Sequence, residues 1–148
     1  MTDSNARTPR TKLQDLASEV RIAQDWVDDL RRRLGWHDGE RAFHALLVAL
    51  RGLRDSLPRD EAIFLGSELP PLLRGLYYEG WHPHVRLSTD IHSALLQRIH
   101  DGLHRDPAVD PEAVVRAVLA LLTARLPAAE VEDAKAATPS SLHHLWPS

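Results

Sequence analysis

"LPRDE" at residues 57–61 and "LPAAE" at residues 126–130 stand 69 positions apart in a chain of 148 residues. In each, a leucine closes an apolar run, a proline follows, and a carboxylate comes three residues later. Proline is tolerated in the first turn of a helix, and a carboxylate is favourable near the positive end. Each stretch therefore reads as a break between two helices. Sliding the chain by the same interval lays Leu34 on Leu103, Leu50 on Leu119, Leu53 on Leu122, Pro70 on Pro139, Leu73 on Leu142, Leu76 on Leu145 and Tyr77 on Trp146. Apolar positions and helix starts recur while surface chemistry does not, so what repeats is packing. The reading is an all-α, pseudo-symmetric bundle of about eight helices built from two four-helix repeats. The repeats cover about 19–79 and 88–147, with a linker at 80–87. Because each unit has a broad apolar face that the other can cover, residues 11–148 are expected to form a single helical domain behind a flexible polar tail, 1–10.

The helix limits follow from local signals. Leu13, Leu16, Val20, Ala23, Val27, Leu30 and Leu34 step by three and four, with Ile22 and Trp26 widening the stripe, and Gly35 provides a stop. This first helix spans about 33 Å at 1.5 Å per residue. Its stripe either folds entirely onto the core or continues outside it as a seam for a partner or a second copy. Asp38 is expected to cap the second helix, Pro58 to open the third, and Pro70 or Pro71 to open the fourth. In the second unit the openings fall at Ser88 or Thr89, at Asp110, at Pro127, and at Thr138 before Pro139.

Composition removes several classes of function. The chain has no cysteine, so disulfides, thiolate metal sites and cysteine nucleophiles are excluded, as suits a reducing compartment. Net charge is -3 and the basic cluster Arg31, Arg32 and Arg33 reads as a solvated face, so no nucleic acid is expected. The first residues lack the apolar core of a signal peptide, and the longest apolar runs are far shorter than a bilayer span of about 20 residues. A cytoplasmic protein that meets no membrane is the expectation.

Residues 40–81, "ERAFHALLVALRGLRDSLPRDEAIFLGSELPPLLRGLYYEGW", carry a family pattern: an "ERA" start, an "LP..EA" junction, an "LP..LRG" helix and a closing "YYEGW". In these residues the chain resembles the bacterial family known as domain of unknown function 2267. Arg41, Ala42, Leu57, Pro58, Glu61, Ala62, Leu69, Pro70 and the segment from Leu73 to Trp81 carry the likeness. Glu68 stands where that family usually has glutamine, and Thr138 replaces the second motif's leucine, which suggests a looser last helix. The resemblance implies a small cytoplasmic protein with a stress-associated role and no assigned reaction.

The densest chemistry in the chain lies around residues 78–84. Tyr78, Glu79, Trp81, His82 and His84 form the part of the linker region without a counterpart in the second half. They are the candidates for binding a ligand or partner; within them His82 and His84 flank Pro83, and alternate residues of an extended segment point the same way, so the two rings can converge. No metal site is assigned; His100 and His104 are the weak candidates, at a spacing that shares a helical face but without a marked third ligand. His143 and His144 read as surface residues. Glu61 and Glu130 read as helix-start carboxylates rather than an acid–base pair, and no catalytic residue is assigned. The sequence thus points to a non-enzymatic interaction or accessory protein, without cofactor, that binds a protein partner or itself. The alternative is a small-ligand or metal-binding protein using the loop of Trp81, His82 and His84.

Overall fold

Seven α-helices and one 3-10 helix, with no strand among the described residues, make up the computed structural model, which describes residues 11–83 and 90–148. The tail 1–10, most of the linker and with it His84 lie outside the described residues. Helix α1 runs Lys12–Leu34 and α2 Gly39–Ser56, followed by α3 Arg59–Glu68 and α4 Pro71–Tyr78. Then come α5 Ile91–Gly102, α6 Pro111–Arg125, α7 Ala128–Ala137 and the 3-10 helix Ser140–Leu145.

The ends form where local chemistry satisfies them. Thr11 and Gln14 close a capping box on α1, and Gly35, at φ 72°, takes the left-handed conformation that ends it. Asp38 accepts from the Glu40 and Arg41 amides at the start of α2, and Asp110 accepts from Glu112 at the start of α6. Leu57 and Leu126 close α2 and α6 as buried caps, and Pro58 and Pro127 then start α3 and α7.

Two sequence expectations change. Asp90 caps α5 by accepting from the Ser93 amide, while Ser88 and Thr89 lie outside the described residues. Thr138 does not cap the last helix. It is buried, donates to the Lys135 carbonyl at 2.7 Å and accepts from the Trp146 indole at 3.4 Å, so its hydroxyl is used in packing.

Helix α2 is the hub, packing against α1, α4, α5 and α6. Its residues Leu46, Leu50 and Leu53 join Leu95 and Ile99 of α5 and Val115, Leu119 and Leu122 of α6 in one apolar core. Trp26 and Leu30 bring α1 to that core, and Leu142, Leu145 and Trp146 close it from the far end. Close approach between helices needs small residues, as two contacts illustrate. A Cβ on Gly52 would sit 2.6 Å from the Leu95 side chain, and one on Gly66 would overlap the Tyr78 ring.

Candidate functional site

The aromatic turn after α4 is held from below by arginines of α2. Arg54, only 3% exposed, donates to the Tyr77 carbonyl at 2.6 Å and the Glu79 carbonyl at 3.1 Å. Arg51 donates to the Leu76 carbonyl at 2.9 Å and pairs with the Glu79 carboxylate at 3.0 Å. Two cations thus satisfy the last carbonyls of α4, where the helix dipole is negative. The buried guanidinium is balanced by Asp55, which also pairs with Arg98 of α5. Burial alone would raise the Asp55 carboxyl, but hydrogen bonds from Arg54 and Arg98 outweigh it and hold the group below the usual carboxylate range.

The residues picked out in that turn are largely engaged in packing. Tyr77 is fully buried and donates to the Ala62 carbonyl at 2.7 Å; its phenol is pushed far up, chiefly by burial. Tyr78 donates to the Ile63 carbonyl at 2.8 Å and stacks on half-buried Trp81, ring centres 5.7 Å apart. Of the candidates described, Glu79 and His82 are exposed. The stretch fixes how α4 meets α2 and α3.

The two recurring glutamates meet. Helices α3 and α7 pack together, and Glu61 Oε1 and Glu130 Oε1 are both buried without a hydrogen-bond partner among the described residues. The Glu130 carboxyl is pushed up to about 7, first by partial burial and then by the negative charges of Glu61, Glu68 and Asp133. Glu61 is raised by partial burial and by Asp133, while its contact with Glu130 pulls it back down. Both carboxyls are thus shifted upward, as expected where partly buried acidic groups crowd one another. The sequence reading of two separate helix-start carboxylates missed this, because nothing local signals a contact across 69 positions.

The histidines divide. Helix α5 ends at Gly102, and His104 lies past it at φ 61°, so the helical face expected to join His100 and His104 does not extend that far. His104 stacks instead on His44, ring centres 5.9 Å apart, and the His44 Nε2 is 2.6 Å from the Gly102 carbonyl. His143 is half-buried with its Nε2 2.8 Å from the Thr138 carbonyl, whereas His144 is exposed.

An apolar cleft of about 490 Å³ opens between α1 and α2. Val20, Ala23 and Val27 form one wall, Phe43 the other, and Leu72 of α4 also lines it. Gln24, Asp28, Arg31 and Glu40 contribute its polar lining. Leu13 and Leu16 continue the α1 wall toward the N-terminus and are 77% and 52% exposed. Asp28 is held below the usual carboxylate range, chiefly by its hydrogen bond from Arg31.

Residues 23–145 match the model of the family described as "Uncharacterized conserved protein (DUF2267)". The chain belongs to the DUF2267 family. Among curated proteins, none matches it. The sequence features that carried the resemblance have structural work in this DUF2267 chain. Ala62 of "LP..EA" offers the carbonyl that takes the Tyr77 hydroxyl. Arg74 of "LRG" donates to the Gly66, Ser67 and Leu69 carbonyls and so satisfies the end of α3. Leu13, Leu16 and Val20 lie before the matched region.

Proposed function

We propose that this DUF2267 chain is a non-enzymatic interaction module that works by self-association, with the exposed half of α1 and the α1–α2 cleft as its contact surface. One observation carries the reading: an apolar row on α1, Leu13, Leu16 and Val20, lies exposed beside an apolar cleft on the same helix. A two-fold contact needs a surface complementary to itself, and a row next to its own receptacle supplies one.

The register follows from the sequence. If two α1 helices cross antiparallel at Val20, Leu13 of one copy faces Val27 of the other, Ala17 faces Ala23, and Lys12 faces Asp28. Small and branched residues then meet along one seam, with opposite charges at its ends. Phe43 and Leu72 line the same cleft and add apolar surface of the kind that an amphipathic helix covers when it seats in a groove. The two-repeat architecture read from the sequence fits this division, in that α1 begins before the first repeat.

The absence of cysteine makes a direct test available. A Val20→Cys variant is expected to form an intermolecular disulfide under mild oxidation, because residue 20 meets its own copy on the two-fold axis. An Ala124→Cys control, on the exposed face of α6, should remain uncross-linked. Equal cross-linking of the two variants would contradict the proposed contact.

A further inference from the structure

Three elements bring together His92 of α5, Glu112 of α6 and His144 of the 3-10 helix. One ligand atom of each lies within 4.8 Å of the others. The His144 Nε2 is 3.6 Å from Glu112 Oε1, and the rings of His92 and His144 are 5.5 Å apart between centres. His92 Nε2 is buried and has no hydrogen-bond partner among the described residues. A buried imidazole nitrogen without a partner is costly unless something accepts or binds it.

We propose that His92, Glu112 and His144 form a binding site for a first-row divalent cation of the zinc type. Two imidazoles and one carboxylate suit zinc, which holds such nitrogens and oxygens at about 2.0–2.2 Å and takes its fourth ligand from water. Donors around such an ion stand roughly 3.4 Å apart, and the His144–Glu112 separation of 3.6 Å is already close to that. The His144 side chain is 53% exposed, which leaves it room to turn toward the other two ligands on binding.

The surroundings fix two of the three ligands. His92 sits in the first turn of α5, after the Asp90 cap, and Glu112 in the first turn of α6, after the Asp110 cap. Arg116, one turn along α6, donates to the His144 carbonyl at 3.0 Å and stands 3.8 Å from the Glu112 carboxylate. It holds the 3-10 helix over the site, and metal binding replaces its loose pairing with Glu112. His143, adjacent in sequence, is turned the other way onto the Thr138 carbonyl. A bound ion would therefore fasten the last helix to α5 and α6.

The test is calorimetric titration of untagged protein with zinc sulfate, with cobalt(II) absorption as a second readout. One ion per chain is expected, with the visible bands of four-coordinate cobalt. His144→Gln is expected to weaken zinc binding by at least about ten-fold, and Glu112→Gln similarly, while His143→Gln and His82→Gln leave it unchanged. His144 is exposed, so its variant is expected to stay folded, and circular dichroism checks that it does. Failure of the wild-type chain to bind zinc, or unchanged binding in His144→Gln, overturns the proposal.

Discussion

The two halves of α1 share one amphipathic pattern and have opposite surroundings. Toward the C-terminus, Trp26 and Leu30 are buried against the core, and Arg125 of α6 lies over the Trp26 ring at 5.8 Å and pairs with Asp29. Toward the N-terminus, Leu13, Leu16 and Val20 keep the same spacing and stay exposed. Periodicity records that a helix has an apolar face; what covers that face depends on the length of the neighbouring helices. Helix α1 has 23 residues and α4, one of its neighbours, has 8. The covered half stabilises the fold, and the uncovered half is the surface proposed to meet a second copy.

The sharpest way to break this contrast is to attack the covered region. Arg54→Ala removes the donors to the Tyr77 and Glu79 carbonyls and one of the two cations on Asp55, and is expected to cost about 4 kcal/mol in denaturant unfolding. Leu30→Ala, at a site with no exposure, is expected to cost about 3 kcal/mol by the same measurement. If either cost falls below about 1 kcal/mol, the assigned core contacts are wrong.

The seam between α3 and α7 is an intermediate case, half-buried and acidic. Glu130 holds its proton more tightly folded than unfolded, so its contribution to stability is full below the ordinary carboxylate range and is lost as pH rises through about 7. Glu130→Gln is expected to remove that loss. At about pH 8 the variant should be more stable than the parent by about 1 kcal/mol, a value reduced for solvent screening, and the two should converge near pH 5. Thermal unfolding across that range checks it; parallel curves would mean that burial and the neighbouring carboxylates do not raise the Glu130 carboxyl.

The smallest effect on folding is expected in the uncovered half. Leu16→Ala should change monomer stability by no more than about 0.5 kcal/mol, since the side chain has little to lose. The contrast with Leu30 lies within one helix and one stripe.

Much of this architecture was legible because helix ends are written locally. Gly35, Asp38, Pro58, Asp110 and Pro127 each act through groups a few residues away, and each stands where the sequence placed it. The cap of α5 is ambiguous in sequence because Ser88, Thr89 and Asp90 are all able to cap, and only the geometry selects Asp90. Thr138 was misread because burial beside Trp146 decides what its hydroxyl does.

The sites were much less legible. Aromatic and histidine residues are dense at 78–84, yet Tyr78 and Trp81 stack together and Glu79 pairs with Arg51. The encounters of Glu61 with Glu130, and of His92 with Glu112 and His144, join residues far apart in the chain. Each member alone looks like an ordinary surface or helix-start residue; the chemistry appears when packing sets them face to face.

The most direct test of the central claim is light scattering on size-exclusion fractions over a concentration series, comparing the parent chain with Leu16→Glu. The parent is expected to approach twice 16.6 kDa as concentration rises and the variant, still folded, to remain at 16.6 kDa. A parent chain that stays at 16.6 kDa up to millimolar concentration would contradict it.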